Sequence, residues 1–260
     1  MPKKKAMTSE KASFVKRKGH ADAREFAEVL GIGKEFKSDP TAKKDVIDSE
    51  GYSYSVKSGE KKWQIFLYGK TRFLTNFTFK SMNGLSEIFL ECIESFPESR
   101  KEYLKEKRKY KEKLKEPMRK LCQKLQDKRI LAGFIDKSMF NSGEVDFLVV
   151  KEGEQFHVFW GRDVVNVLTE NLEVENSKAR INSQLDDQKV VFKFSGKTIG
   201  EIEMRNDSDI HYREVKFWLG KNQTLNLLKS KISPLKEADE RLILYGTAIK
   251  KLGKYLKNKN

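Results

Sequence analysis

Apolar residues in the first third of the chain recur first at helical spacing and then at strand spacing. Ala23, Phe26, Ala27 and Leu30 share one face of a helix over Ala21–Leu30, with Asp22, Glu25 and Val29 on a neighbouring face and Gly31 and Gly33 to stop it. Lys34–Lys44 is polar, contains Pro40, and reads as a loop. Asp45–Ser49 and Tyr52–Lys57 are β-rich runs on either side of the turn-prone pair Glu50-Gly51, so Asp45–Lys57 is predicted to form a β-hairpin. Glu60–Tyr68, with Trp63, Phe66 and Leu67, is predicted to form a helix packed on those strands. Leu85, Ile88, Phe89, Cys92, Ile93 and Phe96 make a second helical stripe that ends at Pro97.

A helical seam of Tyr110, Leu114, Met118, Leu121 and Leu125 then runs through a charged segment, where Pro117 is predicted to start a new helix or kink a long one. From Gly143 the period shortens to that of strands. Val145–Val150 and Gln155–Trp160 flank Glu152-Gly153 as a second hairpin, followed by the β-rich runs Val190–Phe194, Thr198–Met204 and Glu214–Leu219 and a last helix over Thr224–Ile232. The pattern predicts a mixed α/β fold in four parts. These are a basic disordered start (1–17), a first core (18–96), a basic helical region (97–129) and a β-rich region (130–260).

Charge narrows the class of partner. The 260 residues carry 53 Lys and Arg against 38 Asp and Glu, a formal net charge of +15. Pro97–Arg129 alone holds 14 basic and 6 acidic residues, a surplus of 8. Such an excess suits a polyanion, and DNA or RNA is the leading expectation. The same segment can also be a solvated helix face laced with pairs such as Glu106–Lys109. No apolar run is long enough to span a bilayer and no signal peptide is visible, so a cytoplasmic protein without a membrane partner is expected. Cys92 and Cys122 sit at apolar helical positions as reduced core thiols, and two cysteines with three scattered histidines do not make a zinc site.

The hairpin carries the chemistry. A carboxylate opening one strand and a lysine closing the next can hold a divalent metal and a water beside a phosphate. A three-residue turn Glu50-Gly51-Tyr52 would pair Asp45 with Lys57 and project Asp45, Ser55 and Lys57 from one face. A two-residue turn Glu50-Gly51 would instead put Asp48 on the face of Ser53, Ser55 and Lys57. The rival hairpin over Asp146–Phe159 offers Glu154 and His157 but no closing lysine, and reads as structural.

The pattern K-K-D-V-I-D…Y-S-V-K-S-G-E-K-K-W-Q-I resembles the core of the PD-(D/E)XK nuclease superfamily, and especially of type II restriction endonucleases. The resemblance covers roughly residues 18–70 and rests on short, degenerate motifs. It implies a restriction-endonuclease-like core with a mixed central sheet flanked by helices, and it makes residues 18–96 the catalytic part. Asp45 matches the family's first aspartate, Ser55-Val56-Lys57 its (D/E)-x-K, and Gln64 its following glutamine. The upstream Lys18-Gly19…Asp22…Glu25 is similar to the family's glycine-plus-glutamate helix. Lys44 stands where the family has proline, and Ser55 replaces an acidic residue, which leaves the hairpin one carboxylate short. The missing ligand is sought first at Glu25, then at Asp22 or Asp48.

The implied activity is Mg²⁺-dependent cleavage of double-stranded DNA at a specific sequence by a homodimer. Asp45, Glu25 and the Val56 carbonyl would hold the metal, Lys57 would act on the attacking water, and Ser55 and Gln64 would position it. The β-rich region supplies groups that read base edges and grip phosphates. These are Arg205, Asn206, Ser208, His211, Tyr212, Arg213 and Lys216 around one loop, and Arg180, Asn182 and Gln184 upstream. Arg–Asp pairs closing a polar turn account for the same loop without DNA. The competing expectation is a non-catalytic nucleic-acid-binding protein that uses the basic helices and the 205–216 loop.

Overall fold

Helix α1 (Ser9–Leu30) begins well before the expected Ala21, so the segment expected to be a disordered start is helical from Ser9. The computed structural model describes residues 9–33, 36–39, 42–182, 184–233 and 235–253; Lys3–Lys5, Pro40 and the end of the basic tail lie outside them. Two compact units interleave along the chain. One takes the residues up to Lys61, Ile135–Leu168 and those from Lys221 on; the other takes Lys62–Phe134 and Thr169–Gly220. The expected boundary at residue 96 therefore falls inside the second unit, and the C-terminal half is shared between both.

The first unit is built on a mixed sheet. Its strands are β1 (Lys37–Asp39), β2 (Lys44–Ile47), β3 (Ser53–Lys57), β5 (Phe147–Glu152), β6 (Gln155–Trp160), β11 (Leu235–Asp239) and β12 (Leu242–Tyr245), ordered β1-β2-β3-β5-β6-β12-β11. The pairs β3–β5 and β6–β12 are parallel and the rest antiparallel. Ala23, Phe26, Ala27 and Leu30 of α1 pack on Val46, Tyr54, Phe147, Val149, Phe156, Val158, Leu242 and Leu244, as the helical stripe predicts. Helices α8 (Gly161–Asn171), α9 (Lys221–Lys231) and α10 (Thr247–Leu252) complete its regular structure.

The turn between β2 and β3 takes neither expected register. Val46 faces Tyr54 and Ile47 faces Ser53, so the turn runs from Asp48 to Tyr52 and Asp45 falls opposite Ser55 rather than Lys57. Asp48 holds it: one carboxylate oxygen accepts the amides of Glu50 and Tyr52 at 3.0 and 2.8 Å, the other accepts the Tyr54 hydroxyl at 2.7 Å, and Gly51 supplies the left-handed φ of 88°. Asp48 is thus a buried turn residue whose two carboxylate oxygens are taken up by the turn amides and Tyr54.

The second unit is an antiparallel sheet with helices. Strands β4 (Lys62–Tyr68), β7 (Glu173–Asn176), β8 (Lys189–Phe194), β9 (Lys197–Met204) and β10 (Val215–Gly220) are ordered β4-β10-β9-β8-β7. Lys62–Tyr68 is a strand where the apolar spacing predicts a helix. Trp63 and Ile65 are buried and Gln64 is exposed, a period of two that the 63/66/67 spacing masks. Helices α2 (Lys70–Thr75), α3 (Phe77–Lys80), α4 (Leu85–Glu94), α5 (Arg100–Lys105) and α6 (Lys107–Gln126) belong to this unit, and α7 (Lys128–Phe140) carries the chain out of it. Phe66, Phe73, Phe79, Phe89, Phe134 and Phe217 form its aromatic core, with Phe73 and Phe89 stacked at 4.5 Å. Pro117 lies inside α6 without ending it. Its missing N–H would orphan the Lys113 carbonyl, which instead accepts the Ser95 hydroxyl at 3.4 Å. Cys92 and Cys122 are free and buried, and burial pushes both thiols up, Cys122 to about 11. No helix among the described residues is long and apolar enough to cross a membrane.

Candidate functional site

Asp45 sits at the start of β2, where the strand order turns its carboxylate toward the end of β3. One oxygen accepts the Val56 amide at 2.8 Å and the Ser55 hydroxyl at 3.4 Å. Ser55 is buried, and its own oxygen accepts the Lys57 ammonium at 2.8 Å. The three side chains therefore form a chain, Lys57 to Ser55 to Asp45, with the serine standing between the charges that the sequence would have paired directly. Burial holds the Lys57 ammonium below the ordinary lysine range, and the neighbouring Asp45 carboxylate pulls the other way.

Asp45 and Val56 line a cleft of about 340 Å³ whose other walls are Gly19, His20, Ala23 and Arg24 of α1 together with Phe36 and Ser38. Lys57 is not among the lining residues. The helix phase decides which α1 residues reach this cleft. At 100° per residue, positions 19, 20, 23 and 24 share one side, and 22 and 25 point elsewhere. Asp22 and Glu25 accordingly do not come to Asp45. Lys151, at the end of β5, sits 2.9 Å from Asp22 and 2.5 Å from Glu25, and Arg241 also binds Glu25. The bonds from Glu25 and Asp22 hold Lys151 above the ordinary lysine range, although burial alone would lower it.

The first unit holds a second polar cluster on the same sheet. Lys57 and His157 both pair with Val150, from opposite sides, so they share a face. His157 is buried, with Nδ1 3.0 Å from the Tyr245 hydroxyl and Nε2 3.3 Å from Glu152, which also binds Lys229 at 2.6 Å. Burial, then the charge of Lys229, lowers His157 to about 4, so the ring is neutral at pH 7. Among the described residues, no group of three or more His, Cys, Asp or Glu side chains gathers as a metal site.

The remaining expected residues lie in the second unit. Gln64 is exposed on β4, facing Trp218 of β10, and follows Lys57 on a strand, not on a helix. The 205–214 loop spends most of its polar groups on itself and its neighbours. Arg205 makes two bonds to Asp207, at 2.7 and 3.0 Å, and Arg213 reaches the Ile93 carbonyl and Glu98. Tyr212 donates to the Pro97 carbonyl at 2.7 Å, and His211 lies 2.7 Å from Glu214. Ser208 caps the His211 amide, the Asn206 carbonyl accepts from Arg100, and Lys216 lies 3.6 Å from Glu203. Arg180, Asn182 and Gln184 are exposed on the loop between β7 and β8, where the Gln184 side chain accepts the Arg180 amide. On α6, Lys107, Arg108 and Lys113 are exposed, while Lys109, Lys115 and Arg119 pair with acids one turn away.

Sequence reasoning missed His20, Arg24 and Ser38. The signal for the first two was present in the helical phase, since Gly19 and Ala23 mark the side of α1 that approaches β2. Comparison of the chain with protein-family models, curated proteins and solved structures finds no match.

Proposed function

We propose that the protein is a Mg²⁺-dependent endodeoxyribonuclease that hydrolyses phosphodiester bonds of double-stranded DNA at a defined sequence as a homodimer. The observation that carries this reading is the hydrogen-bonded chain from Lys57 through Ser55 to Asp45, of which the Asp45 end lines a cleft. Magnesium is commonly held by one or two carboxylates plus substrate phosphate. Asp45, the Ser55 hydroxyl and the Val56 carbonyl fit such a shared site, one that is completed by the substrate and not assembled beforehand. When bound there, the ion would polarise the phosphate and acidify a water.

The chain's own groups divide the remaining work. Asp45 is fixed by the Val56 amide, so its second oxygen keeps one direction without help from a ligand. Ser55 hands hydrogen-bond direction from Lys57 to Asp45. Lys57, poorly solvated, is an ammonium that loses its proton more readily than an exposed lysine, which suits it to take a proton from water or to offset charge on the phosphate. Glu25 and Asp22 take no part in the chemistry, because Lys151 and Arg241 occupy them.

Incubation with plasmid DNA and Mg²⁺, then with EDTA, tests the proposal. Discrete fragments only with metal support it, and intact plasmid in both counts against it. One observation favours a second reading, a non-catalytic nucleic-acid-binding protein: among the described residues that line the cleft, Asp45 is the one carboxylate. On that reading the exposed cations of α6 and the 177–188 loop bind DNA, and Lys57→Ala leaves duplex affinity unchanged with no cleavage to lose.

A further inference from the structure

The cleft at Asp45 continues along α1. A second depression, of about 480 Å³, is lined by Arg17, His20, Ala21, Arg24, Glu25 and Glu28. His20 and Arg24 line both it and the Asp45 cleft. Arg17, His20 and Arg24 are exposed, and none of them joins an ion pair among the described residues. Their spacings of three and four residues put them on one side of the helix.

This arrangement is not required by the fold. The buried stripe of α1 is Ala23, Phe26, Ala27 and Leu30, and the ion pairs that tie the helix to the sheet use Asp22 and Glu25. Two arginines and a histidine therefore project from the rest of the helix without an ion-pair partner among the described residues, beside Asp45 of the cleft. Seven residues of helix advance about 10.5 Å, far enough for Arg17 and Arg24 to reach different phosphates of one DNA strand. Arginine binds phosphate with two parallel bonds, and its long side chain adjusts to the spacing. Glu28 then sets the limit of the row, since a carboxylate repels the next phosphate.

We infer that the Arg17–His20–Arg24 face of α1 is a phosphate track that seats one DNA strand and delivers its scissile phosphate to Asp45. Arg24, shared by both depressions, holds the phosphate nearest Asp45; Arg17 holds one further along; His20 donates between them. The inference rests on the nuclease reading for its destination at Asp45, and on α1 alone for the binding of the strand.

The test is binding of a fluorescent duplex in Ca²⁺ across a salt series, by anisotropy, for the full chain and for Arg17→Ala, Arg24→Ala and the double variant. Lys80→Ala, an exposed cation of the second unit, controls for a uniform loss of charge. Removing one arginine–phosphate bond pair lowers the salt slope by about 0.9, so the double variant should fall by about 1.8 and bind roughly tenfold more weakly near physiological salt. Lys80→Ala should stay at the wild-type slope. Equal effects of Arg24→Ala and Lys80→Ala, or none from either, would overturn the track even if the wild-type protein cuts DNA. Absence of Mg²⁺-dependent cutting with a lowered slope in the double variant would sink the nuclease reading and leave the track as a binding site.

Discussion

Lys151 places its ammonium 2.5 Å from a carboxylate oxygen of Glu25. That contact, with Arg241, ties up the carboxylate that its position upstream of the hairpin offers to a metal. Asp22 shares the same lysine at 2.9 Å, and the three groups are mostly out of solvent.

Removing one partner of this cluster should cost stability before it costs activity. Lys151→Met leaves the buried Asp22 carboxylate without its cation and Glu25 with Arg241 alone, and should destabilise the fold by about 2–4 kcal/mol in urea titrations at pH 7. Glu25→Gln should cost about 1–2 kcal/mol and leave DNA cleavage within about threefold of wild type. Glu25→Gln with native stability and no cleavage would return Glu25 to the metal. The raised Lys151 contributes stability that is present below the unfolded lysine value of about 10.4 and lost as pH rises through the higher folded value. The Lys151→Met protein should lack that alkaline loss.

Asp48 holds the turn through three hydrogen bonds, two to amides and one to Tyr54. Asp48→Ala should therefore destabilise by about 2–3 kcal/mol, read as a lower denaturation midpoint, because the turn amides and the Tyr54 hydroxyl lose the buried carboxylate they share. Metal dependence of any cleavage should be unchanged in the folded fraction. A shifted Mg²⁺ optimum at native stability would show that Asp48 does bind the ion.

His157 gives the protein an acid-sensitive core. Its folded value of about 4 lies below the unfolded value of about 6.5, so the unfolded chain binds a proton that the folded chain does not. Stability from this residue is intact above about pH 6.5 and falls as pH drops toward 4, by at most about 3 kcal/mol. Urea unfolding at pH 7 and pH 4.5 should show this drop in the wild type and a much smaller one in His157→Phe. Equal pH dependence in both proteins would move the effect elsewhere.

Local elements are legible in the sequence, and their assembly is not. The stripe Ala23, Phe26, Ala27, Leu30 does pack on the sheet, and the hairpin strands over Asp45–Lys57 do form, because period and turn residues act over a few positions. The parallel pairing of Tyr54 with Phe147, and of His157 with Ile243, joins residues far apart in the chain and leaves no local trace. The two-unit interleaving follows from those pairings. β4 reads as a helix because Trp63, Phe66 and Leu67 imitate helical spacing, while the burial of Ile65 between them reveals a strand. At the site, residue types are legible and directions are not. Asp45, Ser55 and Lys57 come together, yet a shifted register places Ser55 between the other two. The phase of α1 sends Glu25 to Lys151 and brings His20 and Arg24 to the cleft.

The central claim is that Lys57 and Asp45 act on a phosphodiester bond. Its most direct test is plasmid cleavage by wild type, Lys57→Ala and Asp45→Asn in Mg²⁺ and in EDTA, with duplex affinity measured on the same proteins in Ca²⁺. Mg²⁺-dependent fragments are expected from the wild type. Lys57→Ala should lose roughly 10²–10⁴-fold in rate while its duplex affinity stays close to wild type. Unchanged cleavage by Lys57→Ala, or no cleavage by the wild type under any metal condition, would contradict the claim.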